Sequence, residues 1–165
     1  MTSALRFLRL LSAVVWIGGI VFFAFVLAPV AFHTLPTVHD AGLVVGACLR
    51  VFDFVALICG VTLLIATTVF YTRSNSEKRN LALQGAVVAL MTLATLYLHF
   101  GILPSMESDR AAAAGDITSL APTDLHRRHF DKLHSLSEQV EGGVLFAGVG
   151  LLILMSRKPV AGQPY

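Results

Sequence analysis

Length, composition and charge restrict the class of protein. The chain has 165 residues, of which 56% are hydrophobic and 13% are charged, and its mean hydropathy is +0.76. Soluble domains carry roughly 25% charged residues, so this composition excludes an ordinary soluble domain and indicates one transmembrane domain over residues 1–165. A net charge of +2 implies no nucleic-acid partner.

Three apolar segments are each long enough to cross a bilayer, which takes about 20 residues of helix. The first span covers about residues 10–32. It is longer than the apolar part of a cleaved signal peptide, so we expect it to be retained. The second span covers about residues 44–71. The third covers about residues 81–103, and we expect Pro104 to end it.

An outer loop, residues 104–133, follows the third span, and from Leu125 onward its apolar residues recur at helical spacing. The spacing predicts an amphipathic surface helix, which leads into a fourth span over about residues 134–155. A loose tail is expected at residues 159–165. We therefore predict an all-α integral membrane four-helix bundle in up-down-up-down order, with the amphipathic surface helix before helix four.

Lys and Arg residues predict the orientation of the bundle, because they concentrate in short cytoplasmic loops. The side with both termini holds seven of them, and the loops on the other side hold four. We therefore expect a multi-pass protein of the cell membrane (the inner membrane, where a cell has two) with both termini cytoplasmic. All six histidines fall on the outer half of the chain's predicted fold.

The fourth span indicates where a functional site lies. Its uncharged run, Gly142 to Ser156, has only 15 residues. To cross the bilayer, the helix must draw Glu141, Glu138 and His134 into or against the membrane. These three residues follow the spacing i, i+4, i+7 and form one stripe. Ionisable groups at that depth usually face the interior of a bundle or a water-filled cavity.

The alternating directions of the helices bring further ionisable residues to the same outer level. Carboxylates and imidazoles together suit protons or a divalent metal, so we predict an outer-side cavity that binds a cation or protons, or helps to transport them. The predicted ligands are His134, Glu138, Glu141, His99 and His33. The predicted charge partners are Arg50 and Asp53, and the candidate partners of Arg50 are Asp53, Glu138 and Glu141.

Two alternatives stay open. In the first, the same charged residues only hold helices together in a non-catalytic scaffold, a homo-oligomer or a subunit of a membrane complex. In the second, the protein is a haem-binding redox protein, which needs two facing imidazoles; His99 with His33 or His134 could supply them. A divalent metal is favoured over haem, because no two histidines lie deep in opposite spans. No nucleophile-and-base pattern and no phosphate loop occurs, so we predict that the protein is not an enzyme.

Small residues predict where helices pack closely. We expect Gly18, Gly19 and Gly143 to allow close approach, and we expect Trp16, which lies in the middle of its span, to be a core residue. The two cysteines lie about 16 Å apart along one predicted helix, so they cannot form a disulfide with each other.

These residues together resemble the transmembrane protein 205-like family of small four-helix membrane proteins. The matching pieces are Trp16-Ile-Gly18-Gly19, Phe22-Phe23, Pro29, Phe32, Pro104, Phe130 and His134-Ser-Leu-Ser137. The resemblance implies an integral membrane protein and leaves its biochemical activity open. The Trp-x-Gly-Gly start is also similar to copper-resistance D-type membrane proteins, although the Met- or Cys-rich copper ligands expected of a copper site are missing here.

Overall fold

The predicted fold class is confirmed by a computed structural model, which describes residues 2–74 and 77–156. The described residues form no strand. Four long helices run in up-down-up-down order and close into a bundle: α1 (Ser3–Thr34), α2 (Val38–Arg73), α3 (Lys78–Ala112) and α4 (Leu125–Ser156). We call the end that holds Ser3 and Ser156 the N/C end and the opposite end the distal end. The predicted loose tail, residues 159–165, lies outside the described residues.

The four helices are apolar on their outer surfaces as well as in the core, which is typical of membrane spans. Large side chains such as Phe25, Phe100 and Phe146 are mostly exposed. The helices have 32 to 36 residues and therefore measure roughly 50 Å. A hydrocarbon core is about 30 Å thick, so parts of the helices extend beyond it.

Helix α2 begins earlier than the sequence predicts. Thr37 caps it, because its hydroxyl accepts a hydrogen bond from the Asp40 N–H at 3.0 Å. Asp40 also lies in the first turn and Arg73 in the last, so both charges complement the helix dipole. The cap places the start of α2 at Val38, about two turns before residue 44, where the predicted span begins.

The prediction that Pro104 ends the third helix is wrong. A π-helical turn, Leu98–Ile102, precedes this proline, and the helix continues to Ala112. Proline lacks an N–H and its ring clashes with the carbonyl four residues earlier; the wider π turn accommodates that clash. The same arrangement occurs in α1, where the π turn Phe23–Leu27 precedes Pro29.

The predicted amphipathic segment is helical, and it leads without a break into the fourth span as the first part of α4. It packs against the end of α3. Ala113, Ile117 and Phe130 form a small core there. The connecting turn contains Gly115 at φ +97°, a left-handed conformation that glycine adopts without strain. We call residues 103–133 the distal hairpin.

The main core contains Trp16, which is 1% exposed, together with apolar residues from all four helices. Close helix approach occurs at Gly19, where a Cβ would stand 2.1 Å from the Phe52 ring. The packing role predicted for Gly18 and Gly143 is wrong, because a Cβ on either would meet nothing within 4 Å. Both lie on the outward sides of their helices.

Candidate functional site

A buried carboxyl and a partly buried imidazole face each other in the distal half of the bundle. Asp53 on α2 is 3% exposed, and His99 lies in the π turn of α3. The distance from Asp53 Oδ2 to His99 Nδ1 is 3.9 Å, which is longer than a hydrogen bond. Within residues 2–74 and 77–156, neither of these two atoms has a hydrogen-bond partner.

This arrangement restricts the charge that the pair can carry. A carboxylate buried without a partner is costly, and the cost falls when it is paired or protonated. Asp53 can remain charged if His99 holds a proton, or it can hold the proton itself. The pair is therefore suited to bind one proton in an otherwise apolar environment.

Glu141 on α4 lies close to this pair. Asp53, Thr95 and Glu141 line a cavity of about 10 Å³, with Trp16 and other apolar side chains around it. That volume is about what one water molecule requires. Glu141 makes no hydrogen bond or ion pair with any residue that the structure describes. A water in this cavity would have polar groups on three helices within its walls.

A second, larger cavity of about 510 Å³ lies in the distal half of the bundle. It lies between α1, α2, α4 and the distal hairpin. Glu141 lines both cavities, and so do Ile20, Phe23 and Leu49. Glu141 therefore stands where the large cavity meets the small one, between the distal end and the Asp53–His99 pair.

The distal hairpin covers this larger cavity. Arg110 donates to the Gly42 carbonyl at 3.3 Å, and its guanidinium lies 5.1 Å from the centre of the Phe130 ring. His39 Nδ1 on α2 lies 3.3 Å from Asp116 Oδ1 in the hairpin turn. The Thr118 hydroxyl donates to Asp116 and, with smaller contributions including that of His39, holds the pKa of this carboxyl below its usual value.

The other predicted site residues lie elsewhere. Arg50 pairs with Glu107 on α3, and both side chains are about half exposed, so the pairing predicted with Asp53, Glu138 or Glu141 is wrong. His134 lies 3.4 Å from Glu138 in an exposed contact at the rim of the large cavity. His33 is exposed on α1 and lines neither cavity.

The predicted ligands therefore do not gather into one metal centre. Across residues 2–74 and 77–156, no group of three or more His, Cys, Asp or Glu residues is placed to hold a metal ion. The structure brings together Asp53, His99 and Glu141, and it leaves Glu138 and His134 at the cavity rim.

A carboxylate held by two histidines is one feature that sequence reasoning missed. Asp109 near the end of α3 is 6% exposed. His126 Nδ1 donates to its Oδ1 at 3.1 Å, and His129 Nδ1 donates to its Oδ2 at 2.7 Å. This contact joins the two arms of the distal hairpin. It depends on α3 continuing past Pro104, so the sequence offered only the spacing of the two histidines as a signal.

A buried polar network at the N/C end was also missed. The Arg9 guanidinium on α1 donates to Gln84 Oε1 on α3 and lies 5.4 Å from the centre of the Phe70 ring on α2. The side-chain amides of Asn80 and Gln84 donate to the Leu154 carbonyl on α4, at 3.3 and 3.2 Å. All four helices meet here. Two amide residues four apart in an apolar span were an available signal.

The fold and the buried ionisable pair define a small integral membrane protein of the four-helix class. Over residues 11–114 the chain matches the family model described as "Domain of unknown function (DUF4149)", and it belongs to that family. The match covers most of α1, α2 and α3, including Asp53 and His99, and ends before α4. No curated protein and no solved structure matches the chain. The resemblances to the transmembrane protein 205-like and copper-resistance D-type proteins stay predictions.

Proposed function

We propose that this protein is a non-enzymatic protein of the cell membrane that binds protons at the Asp53–His99 pair and exchanges them through Glu141. Both termini are cytoplasmic in this proposal, so the distal cavity opens to the outside. The observation that carries the proposal is the pair of buried atoms Asp53 Oδ2 and His99 Nδ1, which are 3.9 Å apart and lack hydrogen-bond partners among the described residues.

The surroundings of the pair support proton exchange with the distal side. Glu141 borders both the water-sized cavity beside Asp53 and the large distal cavity. Protons pass efficiently between groups that are within hydrogen-bond reach directly or through one water. Ionisable residues within membrane spans commonly form such relays.

A divalent metal at the same place has less support than a proton. Zinc and similar ions take three or four protein ligands at about 2.0–2.3 Å. Asp53 and His99 are only two, and the described residues contain no set of three.

A scaffold role is the second candidate, and one observation favours it. Arg50 and Glu107 join α2 to α3 close to Asp53 along the chain, so charge pairs do connect helices at this level. In a scaffold, a membrane complex or a homo-oligomer, Asp53 would serve packing alone. Its proton occupancy would then have no consequence for proton movement across the membrane.

Infrared titration and proton flux together test the proposal. In the detergent-purified protein, acidification should produce a protonated-carboxyl band that Asp53→Asn removes. In liposomes loaded with a pH-sensitive dye, a potassium potential should drive proton flux. Asp53→Asn should lower that flux roughly 100-fold, the low end of what a positioned proton-transfer group contributes.

Glu107→Gln is the matched control, because Glu107 is a half-exposed acid of the distal half that lines neither cavity. It should keep both the band and the flux. An unchanged band in Asp53→Asn would refute protonation of Asp53. A lost band with unchanged flux would refute exchange and favour the scaffold, provided that the variant elutes as a single species in size-exclusion chromatography.

A further inference from the structure

The large cavity is weakly packed on the side between α1 and α4. The distal half of α1, Phe23–Thr34, packs on α2 but makes hardly any contact with α4, whereas the half of α1 nearer the N/C end does contact α4. Ala24, Ala28 and Phe32 line the cavity from α1, and Glu138 and Gly142 line it from α4. The gap between the two helices is therefore a lateral entrance to the cavity.

The two walls of this entrance differ in polarity. On α1, large apolar side chains such as Val26, Val30 and Phe32 are exposed up to the distal end. On α4, no large apolar side chain is exposed between Leu125 and Phe146, and Glu138 and Glu141 lie in that interval. One wall can therefore contact lipid while the other presents carboxylates.

The two arginines that line the large cavity have hydrogen-bond partners, whereas Glu141 has none among the described residues. Arg110 is engaged with the Gly42 carbonyl and the Phe130 ring. Arg127 donates to the carbonyls of Thr118 and Leu120, at 3.0 Å each. Both arginines belong to the distal hairpin, at the roof.

Glu141, in contrast, stands at the floor without a partner among the described residues. Within the described part of the chain, the ion pair of Glu138 is with the exposed His134. The unpaired charge that a ligand would meet inside is therefore negative.

We propose that the large cavity binds a lipophilic organic monocation that enters sideways from the bilayer. Its charged centre contacts Glu141, and its apolar body packs against Phe23, Phe32 and Leu145 on the cavity walls. A volume of about 510 Å³ falls within the range of drug-sized ligand pockets. Aromatic faces add cation–π attraction. This inference goes beyond proton binding and does not depend on it.

Two probes of the same shape and opposite charge test the inference. Tetraphenylphosphonium and tetraphenylborate binding are each measured by equilibrium dialysis on the whole detergent-purified protein. We expect saturable binding of the phosphonium and at least about tenfold weaker binding of the borate. Equal affinities would overturn the inference, because apolar contact alone would then explain the binding.

Two substitutions locate the site. Glu141→Gln should weaken phosphonium binding about tenfold, and Glu107→Gln should leave it unchanged. Ala28→Trp, which fills the entrance from α1, should abolish binding, and the smaller Ala24→Leu should weaken it. Phosphonium binding that survives both Glu141→Gln and the entrance-filling variants would place the site elsewhere and refute the proposal.

The same variants separate this proposal from the proton site. Asp53→Asn should keep phosphonium binding, and Ala28→Trp should keep the Asp53 carboxyl band. Loss of the band with retained phosphonium binding would refute only the proton proposal. Absence of phosphonium binding with a normal band would refute only the cavity proposal.

Discussion

Single glycines differ in what lies beside them. A Cβ on Gly60 would stand 2.5 Å from Thr92 Oγ1 and 3.1 Å from the Trp16 ring, while a Cβ on Gly143 would meet nothing within 4 Å. Overpacking costs about 1–3 kcal/mol, whereas alanine in an open helical position gains up to about 1 kcal/mol over glycine.

We therefore expect Gly60→Ala to lower the thermal unfolding midpoint in detergent and Gly143→Ala to hold or raise it. Equal midpoints for the two variants would show that Thr92 and Trp16 move aside at little cost, and that α2 does not depend on its close approach to α3 and α1.

The sequence could predict which ionisable residues belong to the site, but it could not predict which residues they contact. Asp53, His99 and Glu141 could be selected, because ionisable residues in apolar spans are rare and usually functional. Their partners could not. Arg50 has a long side chain that reaches outward from α2 to Glu107, a residue placed beyond the predicted end of helix three. Asp53, only three positions later, points into the bundle.

At the scale of helices, the π turn before Pro104 accounts for the main difference between the predicted and the observed helices. The lengths and order of the apolar segments predicted the four spans, because such patterns depend on local sequence. The continuation of α3 through Pro104 depends on the backbone widening over Leu98–Ile102, which composition does not indicate. That continuation supplies one arm of the distal hairpin, and it brings Asp109 to the histidines of α4.

The joint between the two arms can be tested through Asp109. Asp109→Ala removes a buried acceptor of two hydrogen bonds, and a bond to a charged group contributes about 1.5–3 kcal/mol. We expect faster amide hydrogen exchange over Met106–Ala113 and a lower unfolding midpoint. Glu107→Ala, which removes an exposed pair worth about 0–1 kcal/mol, is the control. Equal exchange in the two variants would show that the hairpin core, not the histidine contacts, holds the arms together.

At the scale of the whole molecule, the apolar surface is uneven around the bundle. On α1 it reaches the distal end, whereas on α4 no large apolar side chain is exposed between Leu125 and Phe146. At the depth of Glu141, the surface of α1 is therefore apolar and can face lipid, whereas the surface of α4 is polar. A bundle with such a boundary can offer both a route from lipid and a route to water at one cavity.

The Lys and Arg asymmetry predicts which side of the membrane that cavity faces, and cysteine labelling can test this prediction. Ser119 in the distal hairpin and Ser156 at the end of α4 are both exposed serines. Each is changed to cysteine in a chain whose Cys48 and Cys59 are replaced by alanine. A membrane-impermeant maleimide should label Ser119→Cys on intact cells or spheroplasts, and Ser156→Cys only after permeabilisation. The reverse pattern would place the distal cavity in the cytoplasm, so that protons and lipophilic cations would reach Glu141 from inside the cell.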